Sequence, residues 1–280
     1  MNIFLQLKNM KNLTDNEKQI AKHILDNPEE FMNQNASEIA NVCFVSIPTI
    51  YRLCQKLEVS GLSELKVKVS GSLDHYIQEE DFNFDFPIQQ YQTHYEIMTN
   101  LKKDYEQTVL STFNMFDLKG LKTIINAMDK AKYIDIYTSA GNVFFAENFQ
   151  FQMNEIGKRV YVPIEDYQQR LNAANSDEKH FAIVISFHGR GVSVNSVIKI
   201  LNKNHTPILL ISSIEPSMIK GHIDYQIYLC SHEDHYKKIS SYSTRLSLLY
   251  ILDILYTCYF ERHYQDNIDK KLDLYKKLAD

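Results

Sequence analysis

The stretch ASEIANVCFVSIPTIYRLCQKL, residues 36–57, decides how the chain is read. It forms two short amphipathic patterns with a sudden break at FVSIP, residues 44–48. Asn35 stands ahead of the first pattern as a helix cap, Glu38 reaches back to it, and Ala36, Ile39 and Ala40 make one apolar stripe. Ser46 is placed to cap the second helix, with Ile47 and Pro48 in a first turn where a missing proline N–H does no harm. Ile50, Leu53, Cys54 and Leu57 continue its stripe, and Val45 is placed to plug the core between the two helices. A tight turn with a buried aliphatic sets two helices across one another, which is helix-turn-helix geometry. The second helix is then free to enter a groove. Ser46, Pro48, Thr49, Arg52, Gln55 and Lys56 are its candidates for contact with phosphates or base edges.

Ahead of this stretch, Thr14 and Glu17 form a T-x-x-E capping box that opens a helix carrying Ile20, Ala21, Ile24 and Leu25, and Pro28 is expected to end it. Behind it, VSGLSELKVKVS, residues 59–70, adds Lys66 and Lys68 as phosphate contacts. Residues 1–70 hold eight Lys/Arg against eight Asp/Glu, so they exert no net pull on a polyanion. On helix pattern alone, a plain three-helix bundle with a wetted polar face remains the competing reading.

The whole chain has 280 residues, 44 % hydrophobic and 23 % charged, which suits one large domain or two modest ones with real cores. A net charge of −5 excludes a generally basic nucleic-acid coat but not a local basic patch. Cys43, Cys54, Cys230 and Cys258 show no CxxC pair and no close histidine partners, so they are expected to pack as small apolar groups, with no metal site and no disulfide. The first residues lack the plan of a secretory signal, and no apolar run approaches membrane-spanning length. A cytoplasmic protein without a cofactor and without membrane contact is expected.

The pattern changes after Ser70. Residues 71–92, GSLDHYIQEEDFNFDFPIQQYQ, mix acids, Phe and Pro without a period and read as a connector. Beyond about residues 93–128, which read as helical, the runs YIDIYT, RVYVP, FAIVISF, PILLIS and YQIYL alternate with helical stretches, and long helices run from Ser240 to the end. Such alternation means a parallel sheet covered by helices. The expected organisation is an all-α helix-turn-helix domain over 1–75, a linker over 76–92, and an α/β domain with a parallel sheet flanked by helices over 93–280.

Sheets of this kind bind ligands where strand ends run into helix N-termini. Two loops qualify: TSAGN, residues 138–142, and SFHGRGVS, residues 186–193. In the second, Gly189 and Gly191 let backbone N–H groups approach an anion, while Ser186, His188, Arg190 and Ser193 bring donors; Ser139 and Asn142 do so in the first. A turn that merely needs glycine is the competing reading. His188 lacks the convergent carboxylates of a base or metal site. Glu233 and His235, expected in a solvated loop, are the remaining candidates for a proton shuttle, and no catalytic residue is assigned.

At these residues the N-terminal part resembles the RpiR family of bacterial transcription regulators. The resemblance rests on Val45, Ser46, Thr49, Arg52, Leu57, Gly61, Leu62, Glu64, Leu65 and Lys66, in that family's order. From about Leu121 to Tyr259 the chain is similar to the sugar isomerase, or SIS, domain that accompanies it. That family usually carries Gly-x-Gly-x-Ser in the first loop, where this chain has Thr138, Ala140 and Asn142. The second is usually Ser-x-Ser-Gly-x-Thr, and here Ser186, His188, Gly189 and Gly191 stand in it. The resemblance implies a double-stranded DNA operator, a phosphorylated sugar effector and a homodimer or homotetramer. The apolar segment SSYSTRLSLLYILDILYTCYF, residues 240–260, reads either as an association helix or as a core helix over the sheet. The alternative function is a phosphosugar isomerase with an accessory helical domain.

Overall fold

The computed structural model describes residues 3–10, 13–57, 59, 61–66, 68–69, 83–187, 193–213, 219–234 and 236–279. The chain divides into two compact units, Met1–Asn83 and Phe84–Asp280. Residues 76–82 of the expected linker lie outside the described residues.

The first unit is helical throughout its described length: α1 Ile3–Asn9, α2 Asp15–Asp26, α3 Pro28–Asn33, α4 Ala36–Val42, α5 Ile47–Lys56, and a turn over 62–66, α6. Both expected capping boxes form. The Thr14 amide donates to Glu17 Oε2 at 2.7 Å and the Glu17 amide to Thr14 Oγ1 at 3.4 Å. Asn35 Oδ1 accepts from the Glu38 amide at 3.0 Å while the Asn35 amide donates to Glu38 Oε2 at 2.6 Å. Pro28 does more than end a helix. It occupies the first position of α3, where its fixed φ is already helical and no N–H is required. The reading of the sequence also passed over α1, whose Ile3, Phe4 and Leu7 are buried in the same core as Ile20, Ile24, Phe31, Ile39, Ile50 and Leu53. Each large side chain in that core contributes roughly 1.5–3 kcal/mol of burial.

The second unit runs α7 His94–Asn114, α8 Leu118–Lys130, β1 Tyr133–Tyr137, α9 Asn142–Glu155, β2 Val160–Tyr161, α10 Asp166–Ala174, β3 His180–Ile185, α11 Val194–Lys203, β4 Ile208–Ser212, β5 Tyr225–Tyr228, α12 Tyr242–Arg262 and α13 Tyr264–Ala279. The strands form one parallel sheet in the order β2-β1-β3-β4-β5. Alternate residues serve its two faces. Ile134, Ile136, Phe181, Ile183, Leu209 and Ile211 meet α8, α9 and α12 on one side, and Tyr137, Ala182, Val184 and Leu210 meet α10 and α11 on the other. Burial on both faces explains why the strands read as continuous apolar runs. The excess of apolar residues in α12 is accounted for inside this chain, because the helix packs against α7, α8 and α9 with Leu248, Ile251, Leu252 and Leu255 buried. Among the described residues no helix is long and apolar enough to cross a membrane.

Candidate nucleic-acid interface and ligand edge

The break between α4 and α5 has a definite backbone cause. The Val45 amide donates to the Ala40 carbonyl at 2.9 Å and the Phe44 amide to the Asn41 carbonyl at 3.3 Å, with Phe44 at φ 53°. This is a Schellman closure of α4, with Phe44 in the left-handed position where glycine is usual. Val45 then packs on the core, as the sequence suggested. The Phe44 ring is 94 % exposed, so a strained bulky residue stands in water at the tip of the turn.

α5 presents a different face from the expected one. Thr49 is only 4 % exposed. It precedes Ile50 and lies one turn ahead of Leu53, so at roughly 100° per residue it falls on the flank of the buried stripe. Ser46 sits at the cap position, but its side chain does not cap the backbone; its hydroxyl pairs with that of Thr49 at 2.9 Å. Lys56 is half-buried, with its ammonium 2.7 Å from Glu17 Oε2. Lys66 donates to the Gln34 carbonyl, and Lys68 lies 3.6 Å from Glu64. Three of the expected DNA contacts, Thr49, Lys56 and Lys66, are thus engaged within the first unit. The outward face is made by Pro48, Tyr51, Arg52 and Gln55, spaced i, i+3, i+4 and i+7, with Ile47 and Phe44 exposed beside them. Tyr51, Ile47 and Phe44 are not among the contacts expected from the sequence, which were sought among polar and charged types and the first-turn proline.

In the second unit, the chain leaves β1 toward β2 on one side and continues to β3 on the other, so the direction of winding reverses between β1 and β3. A crevice opens at such a switch point, at the carboxyl ends of the strands. Residues 138–141 and 186–187 leave those ends, α9 begins at Asn142, and α11 begins at Val194. Ser139 is exposed, Asn142 is the first residue of α9, Ser186 is buried at the end of β3, and Ser193 precedes α11 without capping it. His188, Gly189, Arg190 and Gly191 lie outside the described residues.

What joins the two loops is Gln169 of α10, which is 4 % exposed. Its Nε2 donates to the Thr138 carbonyl at 2.6 Å and its Oε1 accepts from the Ser193 hydroxyl at 3.4 Å. Thr138 itself donates to the Ile185 carbonyl at 3.2 Å, and Ser213 donates to the Phe187 carbonyl at 2.5 Å. The one sequence signal for Gln169 was its position four residues before Ala173, on the buried side of α10.

The expectation for Glu233 is overturned. Its carboxylate is buried and accepts from Ser243 Oγ at 2.5 Å, Thr244 Oγ1 at 2.7 Å and the Thr244 amide at 3.1 Å. It closes the N-terminus of α12, where the helix dipole favours a negative charge. His235 lies outside the described residues. The expectation that no histidine lies close to the cysteines also fails, since Cys230 Sγ and His232 Nε2 are 3.0 Å apart. Phe84 stacks on that imidazole at 4.1 Å between ring centres, and the Asp234 amide donates to Asp85 Oδ1 at 2.6 Å. The first residues of the second unit are thereby fastened to the loop that leads into α12.

Comparison with known proteins bears on both halves. Residues 1–75 match the helix-turn-helix domain of the rpiR family, and residues 127–257 match the SIS domain. An uncharacterised HTH-type transcriptional regulator of Haemophilus influenzae is 24 % identical over 246 residues, covering 88 % of this chain and 85 % of the relative. Another, from Caldanaerobacter subterraneus, is 23 % identical over 257 residues, covering 90 % and 88 %. The fold is similar to that of the Vibrio vulnificus NanR protein complexed with ManNAc-6P, with a TM-score of 0.60, 16 % identity and coverage of 99 % of this chain and 98 % of NanR. The sugar isomerase domain of an RpiR transcription factor from Sphaerobacter thermophilus gives a TM-score of 0.54 at 13 % identity, over 67 % of this chain and 99 % of that domain.

Proposed function

We propose a mechanism from one premise: the chain belongs to the RpiR family of helix-turn-helix transcriptional regulators. It is a DNA-binding regulator that responds to a phosphorylated sugar. Its first unit reads a duplex through Pro48, Tyr51, Arg52 and Gln55, with Arg52 suited to a guanine edge and Gln55 to an adenine edge. One helix of this length contacts few base pairs, so the working form is a homodimer or homotetramer on a roughly two-fold operator. It acts in the cytoplasm.

The effector sits at the switch point between β1 and β3. Ser139, Asn142, Ser186 and Ser193 surround its phosphate together with the N-termini of α9 and α11, and His188, Gly189 and Arg190, which lie outside the described residues, are the further donors the sequence offers. The observation that carries this reading is Gln169, which ties both loops together at the one crevice the topology creates. The protein is not an isomerase. Its best-placed carboxylate, Glu233, is held as a helix cap by hydroxyl and amide donors, which leaves it poorly suited to move a substrate proton.

Selection of bound duplexes, followed by titration with hexose and hexosamine phosphates, tests the proposal. At least one sugar phosphate should raise the melting temperature by mass action and change operator affinity by the same coupling factor. Turnover of fructose 6-phosphate by the purified protein would overthrow it in favour of the isomerase.

A further inference from the structure

The outer side of α11, whose C-terminal end leads into β4, and the segment that enters β5 form an open pocket of about 510 Å³. Asn195, Lys199, Asn202, Lys203, Lys220 and Gly221 line it, and none of these residues belongs to either site described above. α11 buries Val197, Ile198 and Leu201, which leaves Lys199 and Lys203 four residues apart on its outer side. Like charges at this spacing repel one another.

The third cation is brought there by a built frame. Asn202 Nδ2 donates to the His222 carbonyl at 2.9 Å, and the His222 amide donates back to Asn202 Oδ1 at 2.9 Å. The Lys220 amide donates to Asn195 Oδ1 at 2.8 Å. Gly221 has φ +129°, and a Cβ there would stand 2.8 Å from both Asn202 Oδ1 and Ile198 Cγ2, so only glycine lets the segment lie this close to the helix. Two asparagines and a glycine thus fix Lys220 beside two lysines that already repel. Among the described residues no carboxylate lines the cavity and none of the three ammonium groups has an acidic partner. Asp224, the acid of this segment, faces His222 at 3.3 Å and the Ile208 amide at 2.9 Å instead.

We infer that this cavity binds a small oligophosphate, a molecule with two or more neighbouring phosphate groups. Three lysine charges exceed what one phosphate monoester neutralises, since it carries about −1.5 to −2 at neutral pH. Lysine serves phosphate as a point charge without demanding a fixed fork of bonds, which suits a flexible chain of phosphates. An open pocket of this size holds a small molecule, whereas a duplex presents its phosphates as an extended row. Solvated lysines on an outer helix face are the plain alternative, and the pinned glycine segment argues against it.

Calorimetric titration of the full chain with sodium tripolyphosphate and with sodium orthophosphate, at constant ionic strength, tests the inference. Tripolyphosphate should bind once per chain and at least tenfold more tightly than orthophosphate. The double variant Lys199→Gln/Lys203→Gln and the single variant Lys220→Gln should each weaken it at least tenfold with unchanged circular dichroism, and Gln169→Ala should leave it as in the wild type. Equal binding of the two anions, or unaltered affinity in the lysine variants, overturns the inference. So does loss of binding in Gln169→Ala, which would place the anion at the β1/β3 crevice. Absence of tripolyphosphate binding combined with reduced affinity of the lysine variants for random duplex would assign the surface to DNA backbone and would equally overturn it.

Discussion

Lys56 of α5 places its ammonium 2.7 Å from Oε2 of Glu17 in α2, a carboxylate that also closes the N-terminus of its own helix through Thr14. Glu17 is 2 % exposed. Burial by itself raises its pKa, but the hydrogen bond from Lys56, the two bonds from Thr14 and the nearby positive charge together hold it below the usual carboxylate range. Its folded-state pKa is therefore lower than its unfolded one. The stability it contributes is present above the unfolded value and is lost as pH falls through the acid range. Lys56→Ala would leave this carboxylate buried with one partner fewer, at a cost of about 1–3 kcal/mol. Amide exchange of α2 and α5 should speed up, while the operator preference of the folded variant stays the same. A variant that exchanges like the wild type yet binds its operator poorly would make Lys56 a DNA contact after all.

Arg52 and Thr49 should separate cleanly. Arg52→Ala removes an exposed guanidinium from the outward face and is expected to cost about 1–3 kcal/mol in operator binding, with relaxed preference at one position. Thr49→Ala removes a buried hydroxyl that pairs with Ser46, so its effect belongs to stability. Binding of both variants to a selected duplex, alongside their urea midpoints, checks the pair. Equal operator affinity for Arg52→Ala and the wild type would remove Arg52 from the interface.

Much of this architecture was legible because its causes are local. Thr14 with Glu17, and Asn35 with Glu38, fix two helix starts from residues three apart, and apolar runs without polar alternation mark strands buried on both faces. The two candidate loops followed from where those strands end. What stayed hidden depended on partners distant in sequence. Nothing near Lys56 announces Glu17, 39 residues away. Nothing near Gln169 announces Thr138, 31 residues away. Thr49 is hidden for a different reason: a hydroxyl on the edge of an apolar stripe suits either side, and only the packing of the first unit, which leaves it 4 % exposed, decides between them.

The turn between α4 and α5 contains a stabilising substitution. Phe44 holds φ 53° with its ring in water, a conformation that costs a residue with a Cβ roughly 1 kcal/mol or more and costs glycine little. Phe44→Gly should raise the stability of the first unit by up to about 1 kcal/mol. If the ring also touches DNA, the same change weakens operator binding, the pattern expected where strain is kept for function. Denaturation and binding measured on one preparation distinguish the two effects. A loss of stability would show that the ring makes a stabilising contact that outweighs the backbone strain.

Asp104 of α7 should reverse the pH response that Glu17 gives. It is fully buried, with Oδ1 accepting from Thr108 Oγ1 at 3.1 Å and Oδ2 without a partner among the described residues. Burial, opposed by the Thr108 bond and assisted by the negative charge of Glu233, pushes its carboxyl up to about 6. The folded state then binds more protons than the unfolded one between roughly pH 4 and 6, so stability falls as pH rises through that window and is level above it. Asp104→Asn keeps the group neutral. It should flatten this slope and gain roughly 2–3 kcal/mol at neutral pH, the equivalent of a two-unit shift on a buried group. Thermal melts of the wild type and variant from pH 4 to 8 provide the check. An unchanged slope would mean that Asp104 is not what titrates.

Gln169 carries the most specific prediction for the ligand edge, because its one amide bonds to both loops that flank the β1/β3 crevice. Gln169→Ala removes the donor to Thr138 and the acceptor for Ser193, leaving a buried carbonyl with one bond fewer, at a cost of about 1–3 kcal/mol. Gln169→Glu keeps the acceptor and the size but loses the amide donor, and it sets a negative charge beside the expected phosphate. Both variants should lose the thermal shift given by an active sugar phosphate, Gln169→Glu more completely, because repulsion adds to the lost bond. Operator affinity without ligand should stay within a factor of a few of the wild type, since Gln169 lies in the second unit and the reading helix in the first. The distinguishing measurement is operator affinity with and without the sugar phosphate, taken for all three proteins under one salt condition. If both variants keep the full response, the effector binds elsewhere and Gln169 only braces the fold. If Gln169→Ala retains the response and Gln169→Glu alone loses it, charge at the crevice matters and the bridge between the loops does not.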